Sequence, residues 1–188
     1  MVSVIQQSQI DRLHINPAEC IEWVKSGFLA KDDAQMPAKL SVHPQGEDFM
    51  TTMPCLLPEH DGKKYFGIKL VSRIEGQIPT LKSDITLYDA ETGQLLAIID
   101  GDWITAMRTG AVAALAAKTF QRKGTDTYSM MGLGNIARAV ALCLIEDNKT
   151  ATSPFVCCSI QTRQSNSWSV SIPTNMSRLR CLMTKPPL

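Results

Sequence analysis

The sequence is poor in the features that mark several protein classes. Histidine occurs three times in 188 residues, at His14, His43 and His60, too far apart to form a ligand pair. The six cysteines, Cys20, Cys55, Cys143, Cys157, Cys158 and Cys181, show no metal-ligand spacing, so no metal site is expected. No apolar run approaches the roughly 20 residues that span a bilayer. The opening Met1-Val2-Ser3-Val4 lacks the basic start of a secretory leader. A cytoplasmic protein with reduced thiols and no membrane partner is expected. Charge of one sign is scarce too: 19 basic and 18 acidic residues leave a net +1. That gives nucleic acid no field to follow, so it is not an expected partner.

Other absences are local. The last 38 residues contain no acidic residue and no glycine, but seven serines and four basic residues. All 18 acidic residues and 15 of the 19 basic ones lie in residues 1–150. The tail shows no sustained period of 2 or 3.6. The reading is three segments: 1–122, 123–150, and a tail, 151–188, expected to be disordered or out of frame. ATSPFVCCSI at 151–160 reads as a poor strand because a proline lies within it.

What is present before residue 150 reads as α/β. Asn16, Pro17 and Glu19 have the spacing of a capped helix start, followed by an apolar stripe of Ile21, Val24 and Phe28. KLSVH at 39–43 and KYFGIKLVS at 64–72 alternate as strands do. ITLY at 85–88 and LLAIID at 95–100 flank the turn-forming DAETG at 89–93, which predicts a hairpin. Residues 102–120 predict an alanine-rich helix with Ile104, Met107, Ala111 and Leu115 on one face. TYSMM at 127–131 predicts a short strand, and residues 135–147 a second helix with Ile136, Val140 and Leu144 in line.

Three features can carry chemistry. The first is Gly132-Leu133-Gly134-Asn135-Ile136-Ala137, a GxGxxA between a strand and a helix. Gly132 permits a tight turn, Gly134 lets the backbone approach a pyrophosphate, and Ala137 lets helix and strand pack closely. A plain strand–helix turn is the alternative, and the acidic residue expected roughly twenty positions on for a ribose is missing. The second is Arg108, which shares a helix stripe with Ile104 and Ala111. It is either a fork for a carboxylate or phosphate, or an arginine whose stem packs while its head reaches water. The third is Lys69, on a strand apolar on both faces. It is either a carboxylate-binding or basic amine of depressed pKa, or a solvated edge lysine.

These elements together resemble the ornithine cyclodeaminase/mu-crystallin family. The matching strings run in order: MPAKLSV at 36–42, FGIKLVSR at 66–73, IPT at 78–80, the long block 87–120 with its MRTGA core, and MGLGNIARA at 131–139. The resemblance implies an N-terminal α/β substrate and dimerisation domain, followed here by the first βα unit of an incomplete Rossmann domain. It implies NAD or NADP as cofactor, a small amino-acid or imino-acid substrate, and a homodimer. By lineage the activity is NAD-dependent deaminating cyclisation of L-ornithine to L-proline and ammonia, with ketimine reductase, amino-acid dehydrogenase and a non-catalytic dimerising fragment as alternatives. Lys39, Lys69 and Arg108 are implied to bind substrate. Thr80, Arg108, Gly132, Gly134, Asn135 and Ile136 are implied to bind cofactor. Lys39 stands where the cyclodeaminase has arginine, which keeps the charge and loses the bidentate fork. The family's catalytic aspartate lies beyond the matched strings, so no catalytic residue is assigned. The chain is expected to bind cofactor poorly and to be inactive.

Overall fold

The computed structural model describes residues 1–123, 128–131, 134–147, 155–158 and 179–182. A short strand, β1 (Ser3–Ile5), and a one-turn helix, α1 (Gln7–Asp11), open the chain. The next helix, α2 (Pro17–Leu29), begins where its capping residues place it. Asn16 Oδ1 accepts from the Ala18 N–H at 2.9 Å, and Glu19 Oε2 accepts from the Asn16 N–H at 3.0 Å. Each bond satisfies an amide that the helix leaves without an internal partner. Cys20 and Ile21 are buried under this helix, but Phe28 is 56% exposed. The apolar stripe therefore turns outward in its last turn.

The strands β2 (Leu40–Val42), β3 (Phe49–Leu56), β4 (Tyr65–Arg73), β5 (Leu81–Asp89) and β6 (Leu95–Asp100) join β1 in one sheet, ordered β1-β6-β5-β4-β3-β2. All neighbours are antiparallel except β1 and β6. The β5–β6 hairpin turns where expected: Asp89 Oδ1 accepts from the N–H groups of Glu91 and Thr92, both at 2.9 Å, and Gly93 takes a φ of +70°. Strand β3 was not expected. Its Thr51, Thr52 and Pro54 hide the alternation, and Pro54 sits beyond the end of β2, where β3 has a strand neighbour on one side only.

The long helix α3 (Asp102–Phe120) lies across one face of this sheet. Its Met107, Ala111 and Ala114 meet Cys20 and Ile21 of α2 in the core. Strand β7 (Tyr128–Met131) follows, then helix α4 (Asn135–Asp147), whose Ala139, Cys143 and Leu144 complete the same core. The opposite face of the sheet stays open, with Val4 61% and Ile98 39% exposed along one cross-strand row.

The tail differs from expectation. It contributes two strands, β8 (Phe155–Cys158) and β9 (Leu179–Leu182), which pair parallel in the order β7-β8-β9. The physical reason lies in the proline: β8 starts one residue after Pro154, so the strand itself contains none. The expected single βα unit is therefore extended by two strands, in the order of one mononucleotide-binding half of a doubly wound sheet. The rest of the tail lies outside the described residues.

Candidate cofactor and substrate site

A cavity of about 990 Å³ opens between the β4–β5 turn, α3 and the start of α4. Thr80, Gly134, Asn135 and Ile136 all line it, although more than fifty residues separate Thr80 from the others. The Gly134 carbonyl accepts from the Arg138 N–H at 3.0 Å, which is the first turn of α4. The amides of the residues between them have no acceptor within the helix and can bond an anion, aided by the helix dipole. The remaining apolar stripe of α4, Val140 and Leu144, walls the cavity beside Ile136. Gly132 lies outside the described residues.

The turn that carries Thr80 is self-closed. Ile74 N–H donates to the Thr80 carbonyl at 3.0 Å, and Thr80 Oγ1 donates to the Gln77 carbonyl at 3.1 Å. Behind it a polar knot fixes α3 to β5. Asp102 Oδ1 accepts from the Ser83 N–H at 2.7 Å, Asp102 Oδ2 pairs with Lys82 Nζ at 2.8 Å, and the Ser83 and Thr105 hydroxyls bond at 2.8 Å. That pairing raises the Lys82 pKa through the hydrogen bond and charge of Asp102. Asp102 and Thr105 also border the cavity. Sequence reasoning missed both; the available signal was an aspartate at the first position of an alanine-rich helix, directly after Gly101.

The substrate candidates sit on the sheet face that α3 covers. Register places Met53, Lys69, Ile85, Ile99 and Ile5 in one row across β3, β4, β5, β6 and β1. Directly paired residues share a face, so Lys69 lies beneath α3. Continuing the β2–β3 register, in which Leu40 faces Thr52, sets the exposed Lys39 beside Met53 at the end of this row. The Lys69 pKa is lowered to about 8, first by burial and then by the Arg108 charge. Neither cation has an ion-pair partner among the described residues.

Arg108 departs from its helix neighbours. Its helix neighbours Met107 and Ala111 are buried, but Arg108 is exposed. Its length is the reason: the stem lines an apolar hollow with Trp103, Ile104 and Met107, and the head reaches water. The guanidinium is nevertheless close enough to depress Lys69. The structure thus gathers Thr80 with the start of α4 at one cavity, and brings Arg108 of α3 near Lys69 on the sheet face that α3 covers. It leaves Lys39 at the edge.

The fit to a dinucleotide is partial. Free amides at a helix start and a small residue at Gly134 suit a pyrophosphate. The end of the second parallel strand, where a ribose-binding acid belongs, carries Cys157-Cys158 instead. Among the described residues there is no cluster of three or more metal-ligating side chains, and no helix is long and apolar enough to cross a membrane.

A mixed α/β chain in which Thr80 and the start of α4 line one cavity, with Lys69 on the sheet near Arg108 of α3, falls in the class of Rossmann-like α/β proteins. More specifically, it belongs to the ornithine cyclodeaminase/mu-crystallin family, whose model matches residues 1–159. Members of this family are NAD(P)-dependent reductases, dehydrogenases or cyclodeaminases. Ketimine reductase mu-crystallin of Mus musculus is 36% identical over 90 residues, covering 46% of this chain and 28% of the mouse protein. The structure of Thermococcus litoralis delta(1)-pyrroline-2-carboxylate reductase with NADH and L-proline is similar at a TM-score of 0.73 and 26% identity, covering 85% of this chain and 50% of that one. An archaeal alanine dehydrogenase dimer with bound NAD is similar at a TM-score of 0.70 and 26% identity, covering 84% of this chain and 48% of that one. The chain spans about half the length of these solved relatives.

Proposed function

We propose that this chain carries the phosphate grip and the carboxylate grip of an NAD(P)-dependent enzyme acting on small amino or imino acids. The observation that carries this reading is the shared cavity of Thr80 with Gly134, Asn135 and Ile136. NAD(P), when bound, supplies a hydride donor or acceptor. The chain's own part is to hold the phosphates on the amides of α4 and to hold a substrate carboxylate between Lys69 and Arg108. Because β8 ends on Cys157-Cys158 where a ribose-binding acid belongs, weak binding of NAD(H) is expected, with a dissociation constant above about 1 μM.

Imine reduction is the favoured lineage. Lys39 replaces the cyclodeaminase arginine, and two of the structurally similar relatives are a reductase and a dehydrogenase. Cyclisation of L-ornithine to L-proline is the second reading. The open sheet face with Val4 and Ile98 supports a homodimer. Calorimetric titration of a carboxylate ligand such as L-proline, with NADH present, tests the grip. Arg108→Ala and Lys69→Ala are each expected to weaken it by about 2 kcal/mol, the worth of a charge-assisted bond. Unchanged affinity in both variants returns the two residues to solvent-facing roles.

A further inference from the structure

We propose that Gly110 is a positioning residue that sets the spacing of α3 and α4, and through α4 the aim of its first amides into the cavity. The inference rests on the cofactor reading of that cavity and adds a residue to it. A glycine in mid-helix costs about 1 kcal/mol relative to alanine, and Gly110 lies among the alanines of α3. Its reason is contact. A Cβ at Gly110 would stand 2.5 Å from the carbonyl carbon of Ala139, 2.7 Å from its oxygen and 2.8 Å from its Cβ. Two of those atoms are backbone, which no rotamer change can move aside. Gly27 of α2, by contrast, has nothing within 4 Å of such a Cβ.

The contact sits at a sensitive place. Ala139 is one helical turn from Asn135 and Ile136. The cavity has Thr105 and Ala106 of α3 on one wall and Ala137 and Val140 of α4 on the other. A second hollow, of about 510 Å³, lies between the same helices and is bordered by Ala106 and Ala139. Gly110 against Ala139 is thus a close backbone contact between two helices that border empty space on either side. A Cβ there drives α4 outward, and the displaced amides no longer meet an anion held by Thr80 at hydrogen-bonding distance.

The test uses the 188-residue chain and its Gly110→Ala, Gly110→Ala/Ala139→Gly and Gly27→Ala variants. Backbone amide NMR shifts and NADH titration are read together, with the Lys69 titration as reference. Gly110→Ala is expected to shift the amides of Asn135 and Ile136 and to weaken NADH about tenfold, since an ångström of misplacement has effects of that order or more. The Lys69 midpoint stays near 8, which a general loosening of the fold would not leave in place. Gly27→Ala changes nothing at the cavity. The double variant removes the Cβ–Cβ contact at 2.8 Å but keeps the Ala139 backbone contacts at 2.5 and 2.7 Å, so it is expected to leave most of the lost affinity unrecovered, and recovery to the wild-type level overturns the proposal. Shifts that stop short of Ile136, or unchanged NADH affinity in Gly110→Ala, overturn the proposal. A wild-type chain that binds no NADH at all overturns the cofactor reading as well, whatever the shifts show.

Discussion

Lys69 has a pH signature with a definite sign. Its pKa falls from 10.5 to about 8, first because burial disfavours the ammonium and then because Arg108 repels it. Folding therefore penalises the charged form. The penalty is complete below pH 8 and fades as pH rises toward 10.5, so the unliganded chain gains stability across that window. Lys69→Met at pH 7 is expected to stabilise the unliganded chain by roughly 1 kcal/mol and to flatten this pH dependence, measured by urea unfolding at pH 7 and 10. A carboxylate ligand has the opposite preference, because it needs the charge. Its affinity falls above pH 8 in the wild type. Two buried thiols among the described residues shift stability the other way, losing it as pH rises above 9: Cys20 is pushed up mainly by burial, and Cys143 is pushed up to about 11 by burial and by Cys20. At neutral pH they remain protonated packing residues.

Helix starts and strand alternation were legible wherever one cause dominated. Asn16, Pro17 and Glu19 specify the start of α2 locally, and the bonds are where the spacing puts them. Asn16→Ala is expected to cost about 1 kcal/mol, read from thermal unfolding. The start of α3 was legible but its anchor was not. Asp102 is held by Ser83 and Lys82, which lie nineteen and twenty residues earlier in the chain. Asp102→Ala leaves the Ser83 N–H without its acceptor and is expected to cost about 2 kcal/mol. The first half of β5 was hidden for the same reason. Ser83 is buried because Thr105 of α3 meets its hydroxyl, so a polar residue occupies a core position that alternation would give to an apolar one. Arg108 was left open between two readings for another reason. Helical period placed its Cα on the buried stripe, but period carries no information on side-chain length. Thr80 and the α4 start matched family strings, but their meeting at one cavity depends on how β4–β5 and α3–α4 pack, which no local pattern encodes.

The described strands form two sheets. The six-stranded sheet carries Lys69 on the face under α3 and leaves its other face open. The three-stranded parallel sheet, β7-β8-β9, includes the strand that precedes α4 in the chain. Covering the open face with a second copy would bury the row containing Val4, Ile98 and Ile68, and sedimentation is expected to show a dimer that Ile98→Asp dissociates. The central claim is that Thr80 and the first turn of α4 together hold the phosphates of NAD(H). Amide hydrogen exchange of the chain with and without millimolar NADH tests it most directly. Slowed exchange confined to residues 78–82 and 134–138, with residues 49–56 unchanged, is the predicted result. No slowing at 134–138, or slowing at another surface alone, would contradict it.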